Sequence, residues 1–515
     1  MRNTLKRQIP VLFVFVSAVL TACGALGGGD AVTVLEVDER PNIILILADD
    51  LDEKLGTTQY MPNLKTHLTD RGVTVENFLI TTPMCCPSRV NLLRSQYTHN
   101  HQVFNNESPY GGFPKFFETG YEESTLAVWL QAAGYRTALI GKYMNAYPLA
   151  DDRTYIPAGW SEWYSPGRKN AYDGYDYYLN ENGELIPYPP TEENFFTDVM
   201  SRKGVDFIER AAQDDIPFFL FLSTFAPHEP ATAARRHENL LPGISAPRNP
   251  SFNEEDVSDK SANMSRNPPF GEEQLIDIDV TYRDRVLSML SVDEMIAEVF
   301  NTLEANGLLE NTYVVFTSDQ GFTLGQHRIV EGKSSFYEED IVVPFIVRGP
   351  GIPEGKTISG LLAGSVDIAP TFSEWAGVVP PNFVDGRSFA KILIDGVIPS
   401  DWRKGFLLEQ YAFSANEDAN EPPVGFLSVL DVIGVSPFQP TSLLPKAAGI
   451  RTLDYTYMEL STGFVELYDL RNDPYQLENL AGVADPEVLA HFSELLQKLE
   501  SCRADECRIL EQGFQ

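Results

Sequence analysis

The sequence predicts an α/β fold, a sandwich of helices around a large, mostly parallel sheet, followed by a smaller α+β region. Three observations carry this. Several short runs are apolar at every position, as in strands covered on both faces. Stretches between them place apolar residues at three-to-four spacing, the pattern of amphipathic helices. After about residue 396 the runs become short, β-prone and hairpin-linked.

Along the chain, the folded part starts at Arg40-Pro41, and 42–48 is the first doubly covered strand. Ser124 is a candidate cap for a helix over 125–133, and a strand-like run follows at 137–140. Further buried strands are expected at 218–223, 313–318 and 342–347. Residues 286–303 have helical periodicity that stops near Asn306-Gly307. These elements define a domain over 40–396. A second, over 397–515, contains β-prone runs at 455–460 and 465–470 around Ser461-Thr462-Gly463, then a final helix at 486–500. Stretches 105–119, 242–271 and 412–445 are rich in turn formers and read as long loops.

A chain of 515 residues accommodates one large domain and a smaller one. Its formal charge of −34 argues against a nucleic-acid partner, which requires a positive footprint. Any site for an anionic substrate must then carry its own Lys, Arg or metal charge. At the N-terminus, Arg2, Lys6 and Arg7 precede a short apolar run, and Leu20-Thr21-Ala22-Cys23 resembles a bacterial lipobox. Residues 1–22 thus read as an export signal, Cys23 as a lipid attachment point and 23–39 as a flexible tether. The expectation is an exported protein anchored to a membrane by lipid; the alternative is a plain secretory signal. Cys502 and Cys507 are close enough to bridge across a short turn in an oxidising compartment, which leaves the adjacent Cys85 and Cys86, the latter expected as a buried free thiol.

The chemistry-bearing residues follow strands. Asp49-Asp50 comes after the first strand and Asp319-Gln320 after the one ending at Ser318. Ligands of open α/β sheets bind at the carboxyl ends of strands, and an all-oxygen set there selects Ca²⁺ or Mg²⁺. Pro87 suits the first turn of a helix, so Cys85 falls at a helix N-terminus, where an anion is favoured. Arg89 could fold back onto Asp49 or Asp50. His228, between Pro227 and Glu229-Pro230, has a fixed direction and suits proton donation to a leaving alkoxide. The tyrosines and tryptophans from Tyr155 to Tyr178 could stack on sugar rings, but more commonly such a cluster packs a loop onto its body.

Cys85-Cys86-Pro87-Ser88-Arg89 resembles, residue for residue, the Cys-x-Pro-Ser-Arg activation motif of the type I, formylglycine-dependent sulfatases. The resemblance runs from about Pro41 to the C-terminus and includes Val343-Pro344, Arg348-Gly349-Pro350-Gly351 and Leu467-Tyr468-Asp469-Leu470. Gly141-Lys142-Tyr143-Met144-Asn145 and Thr98-His99-Asn100-His101 are similar to the glucosamine-6-sulfatase and heparan-sulfatase branch. The resemblance implies an alkaline-phosphatase-like α/β/α sandwich. It implies a hydrolase of sulfate esters on a sulfated carbohydrate of the N-acetylglucosamine-6-sulfate or polysaccharide type. It further implies oxidation of Cys85 to formylglycine by a maturation enzyme. One Ca²⁺ would be held by Asp49, Asp50, Asp319 and Gln320 with the side chain at 85. Arg89, Lys142 and Lys333 would offset sulfate charge, His228 or Lys333 would protonate the leaving oxygen, and Asn145 and His327 would contact substrate. The chain departs from the family at Gln320, usually Asn, at Met144, often His, and at Leu93-Arg94-Ser95-Gln96, usually Leu-Thr-Gly-Arg. The rival readings are an arylsulfatase, a phosphodiesterase of the same superfamily, or a glycan-binding lipoprotein with Cys85 unconverted.

Overall fold

The structure is a computed structural model that describes residues 40–167, 171–214, 216–411 and 446–513. The expected export signal, Cys23, the tether and the 412–445 loop lie outside these residues. The main sheet has ten strands. From one edge they run β11 (Lys356–Ile358), β2 (Val73–Val75), β10 (Phe345–Arg348), β9 (Thr312–Ser318), β1 (Asn42–Ala48), β8 (Phe218–Ser223), β4 (Arg136–Gly141), β5 (Glu162–Pro166), β6 (Tyr177–Glu181) and β7 (Glu184–Tyr188). The central strands β9, β1, β8, β4 and β5 are parallel.

Alternate residues of β1 show why the apolar runs are continuous. Ile43, Leu45 and Leu47 enter one core, with Val90 and Leu93 of helix Cys85–Arg94, Leu126 and Leu130 of helix Leu126–Ala132, and Phe372 of helix Ile368–Trp375. Ile44 and Ile46 enter the other, with Phe207 of helix Phe196–Asp214 and Met295 and Val299 of helix Glu272–Ala305. Both faces are covered, which gives the expected three layers.

The structure differs from the sequence reading in four places. The sheet is mixed at its flanks, because β10 runs antiparallel to both β9 and β2, and β6 and β7 turn back on themselves. The strand expected at 342–347 begins only at Phe345, since Pro344 has no N–H to give to a ladder. The helix expected from 286 begins at Glu272; its first turns are solvated, with Ile276 58% exposed, so the apolar period is weak there. Within the expected loop 105–119 lies the helix Gly112–Glu118, held by the burial of Phe113 and Phe116 rather than by propensity. The stretch 242–271 remains irregular.

The C-terminal sheet is antiparallel: β13 (Gly405–Gln410), β14 (Ala447–Thr452), β15 (Tyr455–Leu460) and β16 (Val465–Asp469). Two short strands, β3 (Phe78–Leu79) and β12 (Ala363–Gly364), pair alongside the main sheet. Helix Pro486–Leu499 is capped by Asp485, whose carboxylate accepts the Glu487 N–H at 2.9 Å, and packs Phe492, Leu496 and Leu499 on the C-terminal sheet. Cys502 and Cys507 form the expected disulfide.

Buried charges lock this region to the large domain. Arg403 pairs with Asp367 and, at 2.8 Å, with Glu511, which also accepts the Tyr97 hydroxyl and the Arg387 guanidinium at 2.6 Å. Arg403, Asp367 and Glu511 are enclosed. His99 spans Glu409 at 2.9 Å and the Cys502 carbonyl at 2.8 Å. Burial opposes its charge, but Glu409 outweighs that and pushes the imidazolium up to about 9.

Two outcomes follow. Glu511→Ala leaves Arg403 and Arg387 short of a carboxylate, so unfolding free energy should fall by about 3–5 kcal/mol, read by denaturant titration. Because the folded pKa of His99 lies above its unfolded value near 6.5, its contribution is fully present below that pH and is lost as pH rises through about 9. The stability gap between wild type and His99→Gln should therefore close between those limits.

Candidate active site

Four adjacent parallel strands end at one place. β9 delivers Asp319 and Gln320, β1 delivers Asp49 and Asp50, β8 leads through Thr224 to His228, and β4 delivers Lys142. Opposite them, helix Cys85–Arg94 presents Cys85 at its start and Arg89 one turn later, both fully buried. The loop after Gly332 supplies Lys333.

The contacts are dense. Lys333 Nζ lies 3.1 Å from Cys85 Sγ and 2.5 Å from Asp50 Oδ1. Gln320 Nε2 lies 3.2 Å from the same sulfur and also donates to Asp50, and Cys85 Sγ is 3.6 Å from Asp49 Oδ1. Lys142 Nζ donates to Asp49 Oδ2 at 2.5 Å. Arg89 Nε donates to Asp319 Oδ2 at 2.7 Å, and its Nη1 to Ser223 Oγ at 2.8 Å and the Lys142 carbonyl at 3.0 Å. His228 Nδ1 faces the Glu229 carbonyl at 2.8 Å, which makes Nδ1 the protonated nitrogen. Its Nε2 then points inward, 3.7 Å from Asp50 Oδ2.

Electrostatics follow from burial. Desolvation opposes charge on Asp49, but Lys142, His228, Arg89 and Lys333 together hold it well below the carboxylate range. Asp319 goes the other way: burial and then the Asp49 charge push it well above, against Arg89. Burial works against Lys142 and Lys333 too, yet Asp49 and Asp50 respectively hold both ammonium groups charged. Burial pulls His228 down, against Asp50.

The residues fit a hard divalent cation. Asp49, Asp50, Cys85 and His228 offer ligand atoms within 4.8 Å of one another. Asp319 and Gln320 extend the set with oxygen, and Gln320 Oε1 is buried with no hydrogen-bond partner among the described residues. Asp49, Asp50, Asp319 and Gln320 would hold the ion, as an all-oxygen set suits Ca²⁺ or Mg²⁺.

Most of the expected residues are gathered here; two differ. His327 was expected against substrate, but its ring is fully buried, with Nδ1 2.7 Å from Glu254 and its face stacked on Tyr337 at 4.0 Å. Those contacts tie two loops together and leave Nε2 buried without a hydrogen-bond partner among the described residues. Asn145 lies on the Cys86 side, with its backbone N–H facing that sulfur and its Oδ1 buried without a partner. Cys86 is a buried free thiol, pushed up to about 12 by burial and the neighbouring Cys85. Met144 packs in the core, while His99 and His101 make structural hydrogen bonds.

Sequence reasoning passed over Arg285 and did not single Tyr172 out of its aromatic cluster. Tyr172 lies 5.3 Å below the Lys142 ammonium and against the His228 ring. It belongs to the aromatic cluster, most of which packs internally around Phe113, Tyr147 and Trp163. Arg285 donates to the Asp50 carbonyl at 2.5 Å and to the Pro227 carbonyl at 3.2 Å, joining the loops of Asp50 and His228. Its only signal was a charge inside a helical apolar pattern.

The family model for sulfatases matches residues 41–378. The N-acetylglucosamine-6-sulfatase of Capra hircus is 34% identical over 485 residues, covering 91% of this chain and 85% of its own. An arylsulfatase of Chlamydomonas reinhardtii is 32% identical over 509 residues, covering 91% of this chain and 76% of its own. In fold, the chain is similar to a solved structure of a protein in complex with its substrate D-glucosamine-2-N,6-O-disulfate. That likeness has a TM-score of 0.69 at 24% identity and covers 91% of this chain and 98% of the other.

The cation-binding set is open to a direct test. Ca²⁺ added to chelator-treated protein should raise the melting temperature, since a ligand of the native state alone stabilises it. An Asp49→Asn, Asp50→Asn variant should lose that rise; an equal rise in the variant would place the ion elsewhere.

Proposed function

Because the chain belongs to the sulfatase family of hydrolases, we propose that it removes a sulfate ester from a glucosamine-type sugar, with the side chain at position 85 as the attacking group. The convergence of Cys85, Lys142, Lys333, Arg89 and His228 on the strand-end carboxylates supports this most directly. The relationship to the goat N-acetylglucosamine-6-sulfatase supports the sugar class. When present, a divalent cation would supply positive charge to the sulfate oxygens, and formylglycine at 85 would supply a hydroxyl nucleophile where the thiol now stands.

The remaining work falls to the chain's own groups. Lys142 on Asp49 and Lys333 on Asp50 carry buried positive charge beside the position of attack, where it is worth far more than in water. Arg89 holds Asp319 and braces the strand ends through Ser223. As the sulfur–oxygen bond to the sugar breaks, the leaving oxygen needs a proton. With Nδ1 committed to a carbonyl, His228 gives that proton from Nε2 only as the imidazolium, and Lys333 is the second donor in reach of the centre. A second reading, an arylsulfatase, is supported by the algal relative. The lipobox-like segment ending at Cys23 supports export and lipid anchoring, and the Cys502–Cys507 disulfide accords with an oxidising compartment.

Tryptic digestion of protein from its native host isolates residues 72–89. Conversion of Cys85 lowers that peptide's mass by about 18 Da, as carbonyl replaces thiol; an unmodified peptide from active protein would sink the mechanism. His228→Gln should cost about 10²-fold or more in kcat on a sugar sulfate. The loss should be much smaller on a 4-nitrophenyl sulfate, whose leaving group needs no proton. Equal losses on both would remove His228 from proton donation.

A further inference from the structure

Lys333 reaches the centre from a loop that holds several residues in the left-handed region: His327 at φ 52°, Arg328 at 58° and Ser334 at 81°. Such positions cost about 1–3 kcal/mol each for residues with side chains and persist only where surrounding contacts enforce them. His327 and Arg328 are held by Glu254, and the part of the loop around Lys333 is held by one other side chain. Asp340 is 1% exposed and lies in the short helix Glu338–Ile341, behind the loop. Its Oδ2 accepts the Ser335 N–H at 2.8 Å and the Ser335 hydroxyl at 2.6 Å, two residues beyond Lys333. Its Oδ1 accepts the Thr323 hydroxyl at 2.7 Å.

Thr323 in turn exchanges both backbone hydrogen bonds with Gly332, the residue before Lys333, at 2.8 and 3.0 Å. The Asp340 carboxyl therefore grips the lysine loop on both sides of Lys333. Its own carbonyl accepts the Gly321 N–H at 2.9 Å, which ties the segment after Gln320 to the same point. Among the described residues no Lys or Arg pairs with Asp340, and burial pushes its carboxyl up to about 7. It touches none of the reacting groups.

From this geometry we infer that Asp340 is a positioning residue that sets the Lys333 ammonium against position 85. The inference rests on the functional reading above. Asp340→Ala releases both grips, and a displacement of the order of 1 Å at a catalytic group costs about 10²-fold, so kcat/KM should fall by about that factor. Asp340→Asn should restore most of it. The amide oxygen still accepts from Ser335, and the Thr323 hydroxyl can turn to accept from the amide N–H.

The deciding measurement is a double-mutant cycle on the full chain, with conversion of Cys85 checked by mass spectrometry in each variant. In a Lys333→Ala background, Asp340→Ala should add less than about threefold, because residues acting through one group are non-additive. If the two losses multiply in full, or Asp340→Ala keeps wild-type kcat/KM while Lys333→Ala does not, the inference is overturned. Full activity in Lys333→Ala would instead overturn the functional reading itself. Should Asp340→Ala fail to fold, Thr323→Val with Ser335→Ala removes both hydroxyl grips and is held to the same non-additivity.

Discussion

Three carboxylates, Asp49, Asp50 and Asp319, are buried at the ends of two neighbouring strands, and like charges that close cannot all ionise in a dry interior without opposite charge beside them. Much of the fold can be understood as the supply of that charge. The helix after Met84 brings Arg89, β4 brings Lys142, and the loop after Gly332 brings Lys333. Each comes from a different part of the chain, so the centre forms only when the layers have closed.

This local balance also reconciles a formal charge of −34 with an anionic substrate. The long-range field of the chain repels sulfate, and screening by salt weakens repulsion beyond about 10 Å. Within the centre, enclosed cations act at contact distance, where screening is slight. Recognition is therefore a short-range property set by a few side chains rather than by the surface.

Much of this was legible in the sequence. β1 and β8 ended where their apolar runs ended, because a strand covered on both faces leaves no polar position inside it. The residues following those runs were visible as site candidates for the same reason: they are the first polar groups after an apolar strand. What was not legible depends on tertiary contact. The helix Gly112–Glu118 exists because Phe113 and Phe116 are buried, and the exposed first turns of Glu272–Ala305 carry little periodicity. The pairing of His327 with Glu254, 73 residues earlier, is another contact that no local pattern records. Asp340 and Arg285 act through hydrogen bonds to segments far away in sequence, which no local pattern records.

The buried latch at Glu511 has a consequence in time. It closes on Tyr97, 414 residues earlier in the chain and just beyond the helix that begins at Cys85. At ribosomal rates of about 5–20 residues per second, Glu511 emerges roughly 20 to 80 s after Tyr97. In the closed protein the Cys85 thiol has no solvent exposure. Gln320 and Lys333, which touch the Cys85 sulfur, lie 235 and 248 residues later in the chain, so the order of synthesis leaves an interval in which this segment exists without them, and the C-terminal latch closes later still.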